Sequence, residues 1–186
     1  GLDKPAPDSV NPSLWRNAQL NMLHGLFKVA DRIYQVRGYD LSNITFVQGD
    51  TGWIVFDPLI SAETAKAALD FANEKLGKRP VLGVVYSHSH VDHYGGVRGV
   101  ADEADVKSGK VKVIAPHEFT EHAISENVIA GNAMSRRAIY MYGALLPRNE
   151  RGGVNGGLGQ TTSTGTAGLI VPNVIIEKTG QEVTVD

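Results

Sequence analysis

The run VLGVVYSHSHVDHYGG, residues 81–96, sets the hardest condition on the fold. Its first half is continuously apolar, the pattern of a strand buried on both faces. Its second half holds His88, His90, Asp92 and His93, all able to ligate a metal, followed by Gly95 and Gly96. His88 and His90 are two apart, so in extended backbone at a strand end they project to the same side. One ion could take both imidazoles at about 2.0–2.1 Å. Asp92 and His93 come after the chain has begun to turn and point at a neighbouring ion. The glycines permit close backbone approach. Two ions roughly 3.5–4 Å apart share a bridging hydroxide, the nucleophile of two-metal hydrolases. The bland alternative, polar loop residues without a metal, fits a lone histidine far better than H-x-H-x-D-H between a buried strand and Gly-Gly.

Composition narrows the chemistry. The chain of 186 residues contains no cysteine, so thiolate sites, disulfides and cysteine nucleophiles are excluded and any metal is held by nitrogen and oxygen. Zinc is the first expectation for such a set, with iron and manganese as alternatives. A net charge of −2 leaves no electrostatic footprint for nucleic acid or an anionic membrane. No apolar run approaches transmembrane length, and the opening residues GLDKPAPDSVNPSLW lack the basic and apolar regions of a signal peptide.

Along the chain, residues 1–12 read as an irregular, proline-containing lead-in, and residues 13–186 as one catalytic domain in part. Leu14, Leu20, Leu23, Phe27 and Ala30 suggest an amphipathic helix that would also include His24. RIYQV, NITFVQ and WIVFDP read as strands, with GDTG as a hairpin turn between the last two. SAETAKAALDFANEKLG is the clearest helix, opened by Ser61 and stopped by Gly77. VKVIAP is a further strand, residues 117–146 are mostly helical with a break near Gly131, and NVIIEK and QEVTVD read as closing strands. This mixed order points to an α/β or α+β sandwich.

The H-x-H-x-D-H motif with WIVFDP before it resembles the metallo-β-lactamase superfamily. That resemblance implies an αββα sandwich, incomplete in this chain, with Asp57 supporting the metal loop or else serving as an ordinary strand-end turn residue. HSHVDHYGGVRGV, RGYDLSNITFVQGDTGWIVFDPL, MSRRAIYMYGALLPR and GLGQTTSTGT resemble, more narrowly, the alkylsulfatases that cleave dodecyl sulfate and related esters. The resemblance implies a two-zinc hydrolase releasing sulfate and an alcohol, with Asp92 both ligand and catalytic. Cleavage at sulfur or at carbon occurs among such enzymes. The family pattern extends beyond Asp186 with acidic ligands, a further histidine, a dimerising helical region and a lipid-carrier-like domain. It implies a homodimer and a periplasmic or secreted home. Another hydrolase of the superfamily, acting on a lactam, thioester or phosphodiester, and an inactive metal-binding segment are the competing readings.

An alkyl sulfate pairs an anionic head with an apolar tail. Arginine suits the head because its fork meets two oxygens at once, and Arg136, Arg137, Arg148 and Arg151 all lie in the sulfatase-like stretch. Arg148, Gln160, Thr161 and Tyr142 are the substrate-binding candidates. The Gly/Thr/Ser loop of 148–168 offers backbone N–H groups to an anion, or is a solvated surface loop. Met134, Tyr140, Met141, Tyr142, Leu145 and Leu146 line a tail groove or belong to the core. His117 either completes the metal site or starts a helix, and Glu118 and His122 read as helix surface.

Overall fold

The computed structural model describes residues 3–186, so the first two residues of the lead-in lie outside it. Asn11 ends the irregular segment by accepting the N–H of Ser13 at 2.9 Å and capping α1, Pro12–Asn21. The helix expected to continue to Ala30 stops there. Gly25 adopts φ 131°, open in practice only to glycine, and Gly25–Ala30 becomes strand β1. β1 pairs antiparallel with β2, Ile33–Arg37. The apolar spacing that mimicked a helical face belongs to two elements, and Leu20 and Leu23 stay exposed.

Seven strands form one sheet in chain order, β1 to β7. β3 (Ile44–Gln48) and β4 (Trp53–Phe56) complete the antiparallel half, and the GDTG turn closes with Gly49 donating to the Gly52 carbonyl at 2.9 Å. β5 (Val81–Val85), β6 (Lys112–Pro116) and β7 (Val174–Ile176) continue it in parallel. Parallel neighbours need crossovers, and helices supply them. α2, Ala62–Leu76, joins β4 to β5, begins under the Ser61 cap and ends at Gly77. α3, Glu103–Lys107, precedes β6. α4, Phe119–Ile124, a π-helical turn, Ser125–Ile129, and α5, Gly131–Tyr142, follow it.

One sheet face carries the core. Cross-strand register places Val36, Ile44, Phe46, Val55, Val84 and Val113 on it, and Ala65, Ala68 and Ala72 of α2 join the same buried cluster. Trp53 is fully buried, yet its indole N–H reaches Asn73 at 2.9 Å, so no polar atom is stranded. Among the described residues there is one sheet with a helical layer, one half of the expected αββα sandwich.

The closing run QEVTVD is not a strand. It crosses the sheet instead: Lys112 of β6 donates to the Thr184 carbonyl at 2.6 Å, Val185 sits over Gly83 of β5, and Asp186 accepts from Thr51 and Gly52. Alternating apolar residues suit a segment lying across strands as well as one lying along them.

The residues after the histidine loop pack backbone to backbone against the entry to α2. A Cβ on Gly96 would stand 2.1 Å from the Pro58 carbonyl oxygen and 2.6 Å from that of Ser61; on Gly99, 2.1 Å from that of Ala62. Gly96→Ala forces that backbone apart and is expected to lower stability by about 1–3 kcal/mol, the range for overpacking. A fall in the urea midpoint with unchanged slope measures it.

Candidate metal centre

The parallel pair β4 and β5 delivers the site, because both strands end on the same edge of the sheet, where α/β sheets place ligand crevices. The Asp57 N–H continues the ladder to the Val85 carbonyl at 3.0 Å, and the chain then departs from it. Asp57 and Leu59 take left-handed backbone, φ 54° and 62°, a strained conformation for these residue types. That turn aims the Asp57 carboxylate at the histidine loop. It accepts the Ser87 N–H at 2.8 Å, the Ser87 hydroxyl at 2.8 Å and His93 Nδ1 at 2.9 Å. Ser87 Oγ, donating to Asp57, is left to accept from His88 Nδ1 at 2.9 Å. The relay therefore assigns the proton of both His88 and His93 to Nδ1, leaving Nε2 of His88 over and Nε2 of His93 turned to Asp92.

The four sequence candidates come together. Ring centroids lie 4.6 Å apart for His88 and His90, and 4.1 Å apart for His88 and His93. Asp92 Oδ2 stands 3.2 Å from His93 Nε2. His88 lies between the other two rings, so it is as near to the supposed neighbour's ligand as to its own partner. Among the described residues no three His, Asp or Glu side chains stand as a closed cage. Asp92 and His93 close on each other rather than on a common third point.

Charge state follows from this packing. Burial alone would lower the His93 pKa, but hydrogen bonds to Asp57 and Asp92 outweigh it and raise the value to about 9. His88 shifts the other way, through desolvation and the neighbouring His93 and His90. Burial disfavours the Asp92 anion, yet the bond to His93 holds its carboxyl below the usual range. Nitrogen and oxygen donors with one imidazole nitrogen committed to the protein and one turned outward fit a zinc-type ion. His88, His90, Asp92 and His93 would hold it, and a proton on His93 Nε2 would have to leave first.

Beneath the loop, Tyr86, Tyr94 and Phe119 pack as an aromatic floor, with Tyr86 and Phe119 centroids 4.9 Å apart. Above it lies a cavity of about 540 Å³ lined by His90, Asp92 and His93, by Arg137, Met134, Met141, Tyr142 and Leu158, and by Leu41, Ile60 and Thr162. Tyr142 is thus the one substrate candidate of the four that lines it. Arg148 donates to the Gln160 carbonyl at 3.3 Å and Gln160 to the Asn21 carbonyl at 3.3 Å, while Thr161 is exposed and its neighbour Thr162 faces the cavity. Tyr140, Leu145 and Leu146 are exposed rather than core. His117 pairs with Glu177 at 2.7 Å at the end of β6, His122 lies 3.7 Å from Glu118, and His24 sits in the turn before β1.

The Gly/Thr/Ser loop is pinned rather than free. Asp40, buried in the turn after β2, accepts from the Ser163 N–H at 2.9 Å and from its hydroxyl at 2.6 Å. It accepts as well from the Ile60 and Leu41 N–H groups and from Thr64 Oγ1. Glu63 accepts from the Thr166 N–H at 2.8 Å and hydroxyl at 2.9 Å, which lowers its pKa. Sequence reasoning missed Asp40, and also Glu126, whose Oε1 lies 3.5 Å from His90 Nε2. The separations, 123 residues from Asp40 to Ser163 and 36 from His90 to Glu126, carry no local pattern.

Known proteins share this sequence and fold. The chain is 62% identical to a linear primary-alkylsulfatase of Pseudomonas sp over 97% of its length, covering 27% of that protein. It is 55% identical to an (R)-specific secondary-alkylsulfatase of Pseudomonas sp, over 99% of its length and 28% of the relative's. The structure of a stereoselective inverting sec-alkylsulfatase from Pseudomonas sp. superposes with a TM-score of 0.95 at 54% identity, over 98% of this chain and 29% of that one. The chain thus spans less than a third of the relatives it matches. A sequence model of the metallo-beta-lactamase superfamily matches residues 37–178. Because that match runs from the end of β2 past β7 and takes in the whole histidine loop, the chain belongs to the metallo-β-lactamase superfamily.

Proposed function

We propose that the chain is the metal-loop segment of an alkylsulfatase, which hydrolyses alkyl sulfate esters to sulfate and an alcohol. One observation carries the reading: the cavity beside His90, Asp92 and His93 combines a single guanidinium, Arg137, with the apolar side chains of Met134, Met141, Tyr142 and Leu158. An anionic head and a long apolar tail call for that combination. The alkylsulfatases at 62% and 55% identity support the same substrate class.

Two zinc ions on His88, His90, Asp92 and His93 would supply Lewis acidity and an activated water, with the remaining donors drawn from elsewhere in a longer protein. The chain's own residues do the rest. Arg137 meets two sulfate oxygens and offsets the charge of the sulfate head. Asp57 holds the His93 ring and, through Ser87, the His88 ring. Asp92 stays ionised at neutral pH and can hold a proton or a cation at Oδ2. Met134, Met141 and Leu158 take the alkyl chain, and Tyr142 borders both regions.

A second reading, in which the segment is inactive by itself, is favoured by the closure of Asp92 on His93 and by a donor count that falls short of two ions. Export to the periplasm or the medium and homodimer formation belong to the proposal through the family resemblance. Fractionation and sedimentation of the intact protein test them.

The zinc-loaded intact protein is expected to release sulfate from dodecyl sulfate faster than it turns over a panel of lactam, thioester and phosphodiester substrates. No sulfate release would sink the reading. His90→Ala should abolish turnover while circular dichroism stays unchanged; the 186-residue chain assayed beside the intact protein separates the segment reading from the first. Arg137→Ala is expected to lower kcat/KM for alkyl sulfates roughly ten- to a hundredfold, the loss of a charge-assisted contact of about 1.5–3 kcal/mol. An unchanged kcat/KM would remove Arg137 from the sulfate site.

A further inference from the structure

The histidine loop is supported on one side by Asp57, and the π-helical turn Ser125–Ile129 stands against the other. The turn is defined by its own hydrogen bond, from the Ala130 N–H to the Ser125 carbonyl at 2.9 Å, five residues back rather than four. In a regular α-helix the carbonyl of Ala123 takes the N–H of residue 127. Here the side-chain amide of Asn127 reaches that carbonyl at 3.0 Å and the Ser89 carbonyl of the histidine loop at 3.3 Å. Beside it, Glu126 brings Oε1 to 3.5 Å from His90 Nε2, within ion-pair distance. Burial does not account for the turn, because Val128 and Ile129 are 73% and 80% exposed. What it does achieve is to set two consecutive polar side chains on residues 89 and 90. π-turns inside helices concentrate at functional sites.

We propose that this turn is a second support of the metal loop, with Glu126 the positioning residue that turns His90 so that Nδ1 is its free nitrogen. The three rings then fall into one scheme. Ser87 engages Nδ1 of His88, Asp57 engages Nδ1 of His93, and Glu126 engages Nε2 of His90. Each imidazole has one nitrogen held by a supporting side chain; His93 Nε2 additionally faces Asp92, a fellow member of the loop. His90 presents the opposite nitrogen from its neighbours. Its ring stands nearly edge-on to His88, at 72°, so the two neighbouring rings differ in orientation as well as in the nitrogen engaged. A carboxylate on the outer nitrogen of a ligating histidine fixes its tautomer and raises its basicity. This inference rests on the reading of residues 88–93 as a metal site.

The test uses the intact protein and zinc alone. Wild type, Glu126→Gln, Glu126→Ala and Asn127→Ala are stripped of metal, and zinc affinity and stoichiometry are read by competition with a chromogenic chelator. The cobalt-substituted proteins give visible spectra of the ligand field. Glu126→Ala is expected to weaken zinc about 10–100-fold with stoichiometry unchanged. Glu126→Gln, which keeps a neutral acceptor, should lose less, and the cobalt bands should shift in both. The urea midpoint of the metal-free variants should match wild type, which a purely structural residue would not allow. Equal zinc affinity in all Glu126 variants overturns the proposal. A stoichiometry reduced by one ion also overturns it, since Glu126 would then be a ligand itself. Wild-type protein that binds no zinc refutes the metal-site reading instead, and is a distinct result.

Discussion

Everything at this site hangs from the carboxylate of Asp57. It touches both the end of β5, through Ser87, and the far side of the histidine loop, through His93. To reach them its backbone enters the left-handed region, and Leu59 does so again two residues later. Such strain persists only where the surroundings over-determine it. Here they do: the Asp57 N–H is still tied to β5, Leu59 is fully buried, and the Gly96 N–H donates to the Leu59 carbonyl at 3.0 Å. The strained corner and the close glycine packing are two sides of one contact.

Asp40 does for the outer wall what Asp57 does for the loop. A buried carboxylate is costly unless its lone pairs are filled, and Asp40 fills them with donors from three separate segments. Two of those donors, Leu41 and Ile60, line the cavity, as does Thr162 beside the third, Ser163. Ser42, next along the chain, donates to the Asp92 carbonyl. One anion thus fixes a wall whose pieces come from three distant parts of the sequence. The rigidity of the site comes from buried polar hubs as much as from apolar packing.

Much of this was legible in the sequence, wherever the determinant is local. Ser61 and Gly77 bound α2 as their residue types require, GDTG turns the chain between β3 and β4, and the apolar run before His88 is a central strand. H-x-H-x-D-H names four side chains that lie side by side in the structure. The failures share another character. β1 was mistaken for helix because Leu23 and Phe27 fall at helical spacing, while Gly25 between them breaks it. QEVTVD alternates like a strand but lies across the sheet, a choice made by Gly83 and the Thr51 turn. Glu126 and Asn127 reach the loop only because one turn of helix is π rather than α, and nothing in SENVI announces that. Gln160 is tied to the Asn21 carbonyl and Thr161 is exposed, while Thr162 beside them lines the cavity, a distinction no local pattern carries.

The sheet's strand order equals its chain order, and this bears on how the protein is made. Each strand finds its partner already in place, so a sheet of this kind can lengthen at one edge as the chain leaves the ribosome. The antiparallel pairings from β1 to β4 keep loop closures short, the condition for fast assembly, whereas β7 joins only after the long segment that carries α4 and α5. The histidine loop follows Asp57 in the chain, and the corner that carries Asp57 is locked only when β5 and Gly96 reach it. The support on its other side arrives later with residues 125–129. The order of the chain thus places the support of His88 and His93 before the loop and that of His90 after it.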